Sequence, residues 1–179
     1  MTLKEWAELP DDVPGELVDG VLVEEEMASL PHEVVVLFLL RLFGPIDDRG
    51  GLVIPSEYKY GVAPRRGRKP DISVYLPGTP QPASRLGTTP PDLAVEVITA
   101  SPRDARRDRV EKMAEYARFG IRWYWLVDPA LRIVELYELG PKKRYTLAAS
   151  SSSGKVAVPT CRGLKLDLDK LWARVDRLA

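Results

Sequence analysis

Glu96 lies inside the apolar segment Leu-Ala-Val-Glu-Val-Ile at residues 93–98, and its setting is the clearest chemical signal in this sequence. A short, nearly all-apolar run of this kind predicts a strand at a central position of a sheet. An ionised carboxylate buried there costs several kcal/mol unless a partner compensates its charge. We therefore expect Glu96 to face a cation.

Asp71 opens a second predicted strand, residues 71–76, immediately after Pro70. Two carboxylates brought together at strand ends repel each other and raise each other's pKa unless a cation lies between them. A hard ion such as Mg²⁺, or Mn²⁺ in its place, prefers oxygen ligands and keeps several waters, so two carboxylates and a strand carbonyl suffice. Such an ion polarises a phosphate and activates water, which predicts hydrolysis of phosphodiester bonds.

Two alternatives stay open at this point. Glu96 would also be compensated by a salt bridge to an arginine on a covering helix, since buried acids are usually paired. Asp71 follows a proline, as many turn residues do, and Asp92 after Pro91 repeats the dipeptide. Asp92 shares strand parity with Glu96, so either aspartate is a possible neighbour.

Local signals predict four helices around these strands. Thr2 and Glu5 have the spacing of a capping box, and a long apolar segment without a breaker predicts a buried helix that Gly44-Pro45 ends. Ser101-Pro102 is a good helix start, and Gly120 closes that helix. The predicted helices cover residues 3–8, 31–43, 101–119 and 168–175.

The predicted strands alternate with these helices. Asp19-Gly20 readily adopts the positive φ angles of a tight hairpin turn. Residues 77–91 hold five prolines and two glycines and predict an extended surface loop. The predicted strands cover residues 16–18, 21–23, 52–62 as one or two strands, 71–76, 93–98, 122–128 and 132–139, with an additional edge at 145–147 and a loose tip at 150–154. This order predicts a mixed sheet with helices packed on it.

Length and composition limit the class of protein. A chain of 179 residues with 45% hydrophobic content predicts a single domain over residues 1–179. It has no apolar run long enough to span a bilayer and no signal peptide, so we expect a soluble, cytoplasmic protein without a membrane partner. The single cysteine, Cys161, excludes an internal disulfide framework, and the single histidine, His32, excludes sites that need paired histidines.

The charges are unevenly distributed although the net charge is zero. Residues 1–33 contain ten acids and one base, so the rest of the chain carries the compensating positive charge. This division allows a basic cleft opposite an acidic flank, or a contact between the acidic part of one subunit and the basic part of another. The charges alone do not decide between these possibilities.

A set of ordered motifs carries a resemblance to a known family. It consists of Lys69-Pro70-Asp71-Ile72-Ser73-Val74, Asp92-Leu93-Ala94-Val95-Glu96-Val97-Ile98-Thr99, then Asp108, Lys112, Tyr116, Gly120 and Tyr124-Trp125-Leu126-Val127-Asp128-Pro129. Glu16 in Gly-Glu-Leu-Val-Asp-Gly, His32, Gly163-Leu164 and Leu171-Trp172 extend it over most of the chain. Together these motifs resemble the Uma family of restriction-endonuclease-like proteins, within the PD-(D/E)XK nuclease superfamily.

The resemblance implies an α/β (α+β) fold with a restriction-endonuclease-like core, a central mixed sheet flanked by helices. It implies a Mg²⁺-dependent DNA endonuclease, with Asp71 as the PD aspartate and Glu96 as the second acid. The superfamily lysine would stand two residues after that acid, where this chain has Ile98. The resemblance points to Lys112, on the following helix, as the catalytic replacement.

Helical periodicity argues differently about Lys112. At about 100° per residue, Lys112 lies roughly 160° from the apolar stripe formed by Val110, Ala114 and Ala117. This position favours an exposed Asp108–Lys112 ion pair, so both interpretations of Lys112 stay open.

Other residues are secondary candidates. Glu16 is a possible third metal ligand or a solvated hairpin acid, and we expect His32 to cap the apolar helix. The basic run of Arg65, Arg66, Arg68 and Lys69 is a candidate nucleic-acid contact or a mobile solvated loop. Tyr116, Trp123 and Trp125 are expected to be core or interface aromatics.

Two functions of different class follow from the sequence. The first is the metal-dependent endonuclease, which the resemblance suggests acts as a homodimer that cuts two strands. The second is a catalytically inactive nuclease fold kept as a binding or regulatory protein. The substrate of the enzyme would be DNA, with RNA as an alternative that no recognition motif excludes.

Overall fold

The computed structural model describes residues 1–10, 13–24, 27–99, 106–159, 161 and 163–178. Within these residues the α-helices are α1 (Leu3–Ala7), α2 (Leu30–Asp47), α3 (Met113–Phe119) and α4 (Leu168–Val175). A π-helical segment, Arg107–Lys112, leads directly into α3, and a 3₁₀ turn, Asp176–Leu178, follows α4. No helix among the described residues is both long and apolar enough to cross a membrane.

The strands of the first half are β1 (Glu16–Val18), β2 (Val21–Val23), β3 (Leu52–Pro55), β4 (Lys59–Ala63), β5 (Arg66–Arg68), β6 (Ile72–Tyr75) and β7 (Leu86–Gly87). Those of the second half are β8 (Leu93–Val97), β9 (Trp123–Asp128), β10 (Ile133–Gly140), β11 (Arg144–Ser151), β12 (Lys155–Ala157) and β13 (Lys165–Asp167).

The strongest local signals predicted their elements correctly. The Thr2 hydroxyl accepts a hydrogen bond from the Glu5 amide at 3.2 Å, and the Glu5 carboxylate accepts one from the Thr2 amide, so the capping box is present. Asp19 and Gly20 have φ angles of 52° and 83° and join β1 to β2 as a tight antiparallel hairpin. Gly120, with φ of 109°, closes α3. The predicted start of that helix at 101–104 lies outside the described residues.

Two predicted boundaries were wrong. Helix α2 continues through Gly44-Pro45 to Asp47, because Phe43 and Ile46 both pack into the core and their burial favours continuation over termination. The predicted edge at 145–147 is confirmed as part of a longer strand, β11, which pairs with β10 and lies at the edge of its sheet. The predicted loose tip is shorter than expected, because residues 150 and 151 belong to this strand and only 152–154 lie beyond it.

The predicted mixed sheet is a six-stranded sheet with the order β11-β10-β9-β8-β6-β3. Strands β8 and β9 are parallel, and the other neighbours are antiparallel. Val95 and Val97 face the cluster formed with α2 and α4, whereas Ala94 and Ile98 face the cluster that contains Tyr116 and Tyr124. Since side chains alternate along a strand, Glu96 shares the second face with Ala94 and Ile98.

A second sheet was not predicted as a separate unit. It has the order β2-β1-β5-β4-β7, and its last strand comes from the proline-rich loop 77–91. Gly67 in β5 lies directly under the buried ring of Trp6, so α1 packs against this sheet. Helix α3 lies near both β4 and β11, and therefore connects the two sheets close to Glu96.

Candidate active site

The register of two strands brings Asp71 next to Glu96. Strands β6 and β8 are antiparallel with Ile72 opposite Val95, so Asp71, one residue before Ile72, is set against Glu96, one residue after Val95. The Val97 amide donates a hydrogen bond to Asp71 Oδ2 at 2.6 Å. Both acids line one cavity of about 400 Å³. Asp92 lies at the other end of β8, where its carboxylate accepts a hydrogen bond from the Leu76 amide at 2.8 Å.

Lys112 reaches this acidic pair from the π-helical segment. Its ammonium Nζ lies 2.9 Å from Glu96 Oε2, 3.3 Å from Asp108 Oδ1 and 3.4 Å from Glu16 Oε1. The side chain is only 3% exposed. The structure thus brings together four of the residues singled out from the sequence: Asp71, Glu96, Lys112 and Glu16.

Asp108 and Lys112 do form an ion pair, but the interpretation that placed this pair on the exposed surface was wrong. Both residues are buried, and Val110, which was assigned to the buried stripe, is 57% exposed. In a π-helix each hydrogen bond spans five residues instead of four, so positions are rotated relative to the α-helical pattern used for the prediction. Tyr124 anchors the segment by donating a hydrogen bond from its hydroxyl to the Asp108 carbonyl at 3.0 Å.

Glu96 has two partners on the covering helix. Lys112 is one, and the Tyr116 hydroxyl donates a hydrogen bond to Glu96 Oε1 at 2.6 Å. The alternative interpretation expected a salt bridge to an arginine, and the structure has a lysine in that place. Tyr116 was expected to be a core aromatic; it is fully buried and also contacts the acid.

The polar cluster around Lys112 contains four acids and one lysine; the acids are Asp71, Glu96, Asp108 and Glu16. Burial raises the pKa of Glu96 well above its ordinary value, and the neighbouring charges of Asp108, Asp71 and Glu16 add to this effect, while Lys112 opposes it. Burial likewise raises the pKa of Asp108. For Glu16 burial acts in the same direction, but Lys112, Arg68 and the Lys69 amide outweigh it and lower its pKa. Lys112 therefore offsets the upward pKa shifts of Glu96 and Asp108 only in part.

Glu16 belongs to a buried network that the sequence did not suggest. Strand β1 pairs with β5 so that Leu17 lies opposite Gly67, which sets Glu16 against Arg68. Arg68 is fully buried and contacts Glu16 Oε2 at 2.7 Å and Glu115 Oε2 at 2.6 Å. Glu16 Oε1 also accepts a hydrogen bond from the Lys69 amide at 2.9 Å. Arg68 thus fixes the hairpin acid to the helix that carries Lys112.

The four residues of the basic run are placed differently. Lys69 lines the cavity, and its ammonium lies 2.7 Å from the Glu57 carboxylate. Arg65 donates to the Asp19 carbonyl, and Arg66 pairs with the carboxylates of Asp19 and Glu115. The guanidinium groups of Arg65, Arg66 and Arg68 thus support the hairpin and helix that surround the cavity.

Arg68→Met is expected to destabilise the protein by about 3–5 kcal/mol, because Glu16 and Glu115 would remain buried without their shared cation. The free energy of unfolding in urea measures this loss. Arg122→Met is a suitable control, since Arg122 is 61% exposed and its ion pair with Glu138 is superficial. A similar, small change in both variants would contradict the structural role of Arg68.

Sequence comparison assigns the chain to a family. The profile of the Uma2 family, described as "Putative restriction endonuclease", matches residues 2–169. The chain belongs to the Uma2 family. This membership confirms the resemblance found in the sequence. A search of curated proteins gave no significant match.

The fold of this Uma2 chain matches a solved structure. The crystal structure of a protein from Anabaena variabilis, described as a "putative nuclease belonging to DUF820", superimposes with a TM-score of 0.76. The match covers 98% of this chain and 99% of the other at 20% sequence identity. It confirms the predicted combination of a mixed sheet with flanking helices.

His32 contacts the site of the Uma2 chain in a way that the sequence did not predict. The cap of α2 is Ser29, whose hydroxyl accepts a hydrogen bond from the His32 amide at 3.4 Å. The imidazole Nε2 instead lies 3.2 Å from Asp71 Oδ1, so the expected capping role was wrong. Because Ser29 already satisfies the helix end, the imidazole is available to Asp71. The sequence signal for this role was its place, as the only histidine, at the start of the buried helix.

The cavity of the Uma2 chain suits a hard cation in donor chemistry. The acids among its described lining residues outnumber the lysines and arginines; they are Glu24, Glu33, Glu57, Asp71, Glu96 and Asp108, against Lys69, Arg107 and Lys112. No group of three or more histidine, cysteine or acidic side chains in the described part of the chain is arranged as a metal site. Mg²⁺ is bound through one or two carboxylates and keeps several waters, so Asp71 and Glu96 fit it as a pair.

Proposed function

We propose that this protein is a metal-dependent endonuclease that hydrolyses DNA phosphodiester bonds. The observation that carries the proposal is the contact of Lys112 Nζ with Glu96 at 2.9 Å beside Asp71, on the wall of one cavity. Lys112 belongs to the π-helical segment, Glu96 to β8, and Asp71 directly precedes β6. All three belong to the motifs that carry the family resemblance, and an acid–acid–lysine set is the chemistry that this family implies.

Asp71 and Glu96 are the proposed ligands of Mg²⁺ or Mn²⁺. When bound, such an ion polarises the phosphate and lowers the pKa of a coordinated water. Glu16 accepts hydrogen bonds from Arg68 and the Lys69 amide, so its proposed role is to hold Lys112 rather than to bind the ion directly.

Lys112 is proposed to stabilise the negative charge that develops on the phosphate oxygens during hydrolysis. A buried ammonium fixed by Glu96, Asp108 and Glu16 needs little reorganisation at the moment of reaction, which is the basis of electrostatic catalysis. Lys69 on the cavity wall is the proposed cation for a neighbouring phosphate.

The cavity favours recognition of the nucleic-acid backbone over recognition of bases. Among the described residues that line it there is no phenylalanine, tyrosine or tryptophan on which a base could stack. A backbone-directed site is consistent with a nuclease of little intrinsic sequence preference at the cleavage centre. Two copies related by a two-fold axis would cut both strands of a duplex in one encounter, so the proposed active form is a homodimer.

The proposal is tested by plasmid cleavage in Mg²⁺ or Mn²⁺ with the native protein and Asp71→Asn. We expect the variant to cut more than about 100-fold more slowly, since even an outer partner of a metal ligand contributes 10–100-fold. Asp92→Asn is a matched control, because Asp92 also follows a proline but lies at the opposite end of β8.

Two outcomes would contradict the proposal. Equal cleavage by the native protein and Asp71→Asn would exclude Asp71 from the reaction. Failure of the native protein both to cut DNA and to bind Mg²⁺ or Mn²⁺ by calorimetry would favour a nuclease fold retained for binding. A parallel assay with single-stranded RNA separates the two substrates.

A further inference from the structure

His32 lies at the proposed site, but the roles proposed for Asp71, Glu96 and Lys112 do not explain its presence there. It is the only histidine of the chain, it is 8% exposed, and it lines the same cavity as Asp71 and Glu96. Its backbone belongs to the first turn of α2, an element that contributes no other proposed site residue. The imidazole Nε2 lies 3.2 Å from Asp71 Oδ1.

Two groups contact the Asp71 carboxylate, one at each oxygen. The Val97 amide, in β8, donates a hydrogen bond to Asp71 Oδ2 at 2.6 Å, and His32 Nε2, from α2, contacts Asp71 Oδ1 at 3.2 Å. The terminal torsion of an aspartate is otherwise broad, so the second contact restricts its rotation. Each carboxylate oxygen has two lone-pair directions, so both oxygens retain one acceptor position after these contacts.

The other nitrogen of His32 indicates why the ring is placed this way. Within the described residues, Nδ1 is buried and has no hydrogen-bond partner, and the nearest acidic oxygen, on Glu33, is 3.7 Å away. That separation is too long for a hydrogen bond. A histidine placed for packing alone would be expected to satisfy both nitrogens. Here the contact with Asp71 determines the orientation of the ring.

We propose that His32 is a positioning residue that holds the Asp71 carboxylate in the orientation required for cation binding. The inference rests on the proposed function, since it assigns the ion to Asp71. It acts through Asp71 and requires no contact between His32 and the substrate. Side chains that support metal ligands in this way typically contribute 10–100-fold to metal affinity.

Calorimetry with Mn²⁺ on the native protein, His32→Leu and His32→Gln tests the proposal. Leucine removes the donor, so we expect binding to weaken by about 10–100-fold. Glutamine keeps an N–H donor at similar reach, so we expect its affinity to lie within a few-fold of native. Cleavage by His32→Leu should recover as the Mg²⁺ concentration is raised, because the loss is in affinity. A purely structural role for His32 would show neither the rescue by glutamine nor the recovery.

Nuclear magnetic resonance provides a second measurement on the folded native chain. Since His32 is the only histidine, its imidazole signals need no assignment by mutation. Saturating Mg²⁺ should shift these signals in the native protein and leave them unchanged in Asp71→Asn. This readout keeps the proposal testable if His32→Leu does not fold.

The outcomes separate the two proposals. Two results would overturn the positioning role and leave the nuclease proposal standing. One is a Mn²⁺ affinity of folded His32→Leu equal to that of the native protein. The other is imidazole signals that do not shift in Mg²⁺ although calorimetry shows that the ion binds. Absence of both metal binding and cleavage in the native protein would overturn the nuclease proposal, and the positioning role with it.

Discussion

Glu96→Gln is expected to lose metal-dependent cleavage by more than about 100-fold, because it removes one of two proposed ligands and outer partners alone contribute up to that much. The amide keeps the size of the side chain, and its oxygen can still accept the hydrogen bond from Tyr116. The loss should therefore reflect the missing charge rather than a collapsed core. Cleavage of plasmid DNA in Mg²⁺ under single-turnover conditions measures it.

The same substitution should change how stability depends on pH. Burial raises the pKa of Glu96 well above its ordinary value of 4.5, so between 4.5 and the raised value the folded chain binds a proton that the unfolded chain has lost. The free energy of unfolding contributed by Glu96 therefore falls as pH rises through this window. Glutamine does not titrate, so the stability of Glu96→Gln relative to native should improve as the pH is raised.

Urea unfolding of both proteins from pH 5 to 8.5 measures this difference. Glu138→Gln is the control, since the Glu138 side chain is 43% exposed and pairs with Arg122 on the surface. Parallel pH profiles of the free energy of unfolding for Glu96→Gln and the native protein would show that folding does not raise the pKa of Glu96. Unimpaired cleavage by the variant would remove Glu96 from the proposed metal site.

Lys112→Met is expected to lower cleavage by about 10²–10³, the usual loss when one preorganised electrostatic group is removed. It should also destabilise the protein by about 3–5 kcal/mol at neutral pH, because Glu16, Glu96 and Asp108 would lose the cation they share. The destabilisation should shrink at acid pH, where Glu96 and Asp108, whose pKa values are raised by burial, take up protons.

Metal binding distinguishes the catalytic role of Lys112 from its structural role. Removing a buried cation from an acidic cavity should leave Mn²⁺ binding as tight as in the native protein or tighter, while cleavage stays slow. Bound Mn²⁺ should then restore part of the lost stability, since a ligand that binds only the folded state stabilises it. Lys170→Met, at a side chain that is 77% exposed, should change neither quantity appreciably. Native cleavage by folded Lys112→Met would refute the proposed role.

Local sequence signals determined many elements of this protein correctly. The capping box of α1, the Asp19-Gly20 turn and the Gly120 helix end each depend on side chains or backbone angles within a few residues. Such features need no information about distant parts of the chain. The unusual setting of Glu96 was also local, because an acid within an apolar strand is costly wherever that strand packs.

The composition of the site around Glu96 was decided by tertiary structure. The choice of Asp71 over Asp92 depended on the register of β6 and β8, which brings one aspartate to the carboxyl end of β8 and leaves the other at its start. The direction of Lys112 depended on π-helical geometry, which an α-helical wheel cannot represent.

The roles of Arg68 and His32 likewise followed from long-range contacts. Arg68 belongs to a basic run that was interpreted as a candidate phosphate contact, but the pairing of β1 with β5 buries it against Glu16. His32 was expected to cap the apolar helix α2, but it lies in the first turn of that helix, Ser29 is the cap, and the imidazole contacts Asp71 instead. The sequence identified which residues were chemically unusual, and the fold decided which of them meet, because charge compensation in a buried site is satisfied by spatial neighbours rather than by neighbours in the chain.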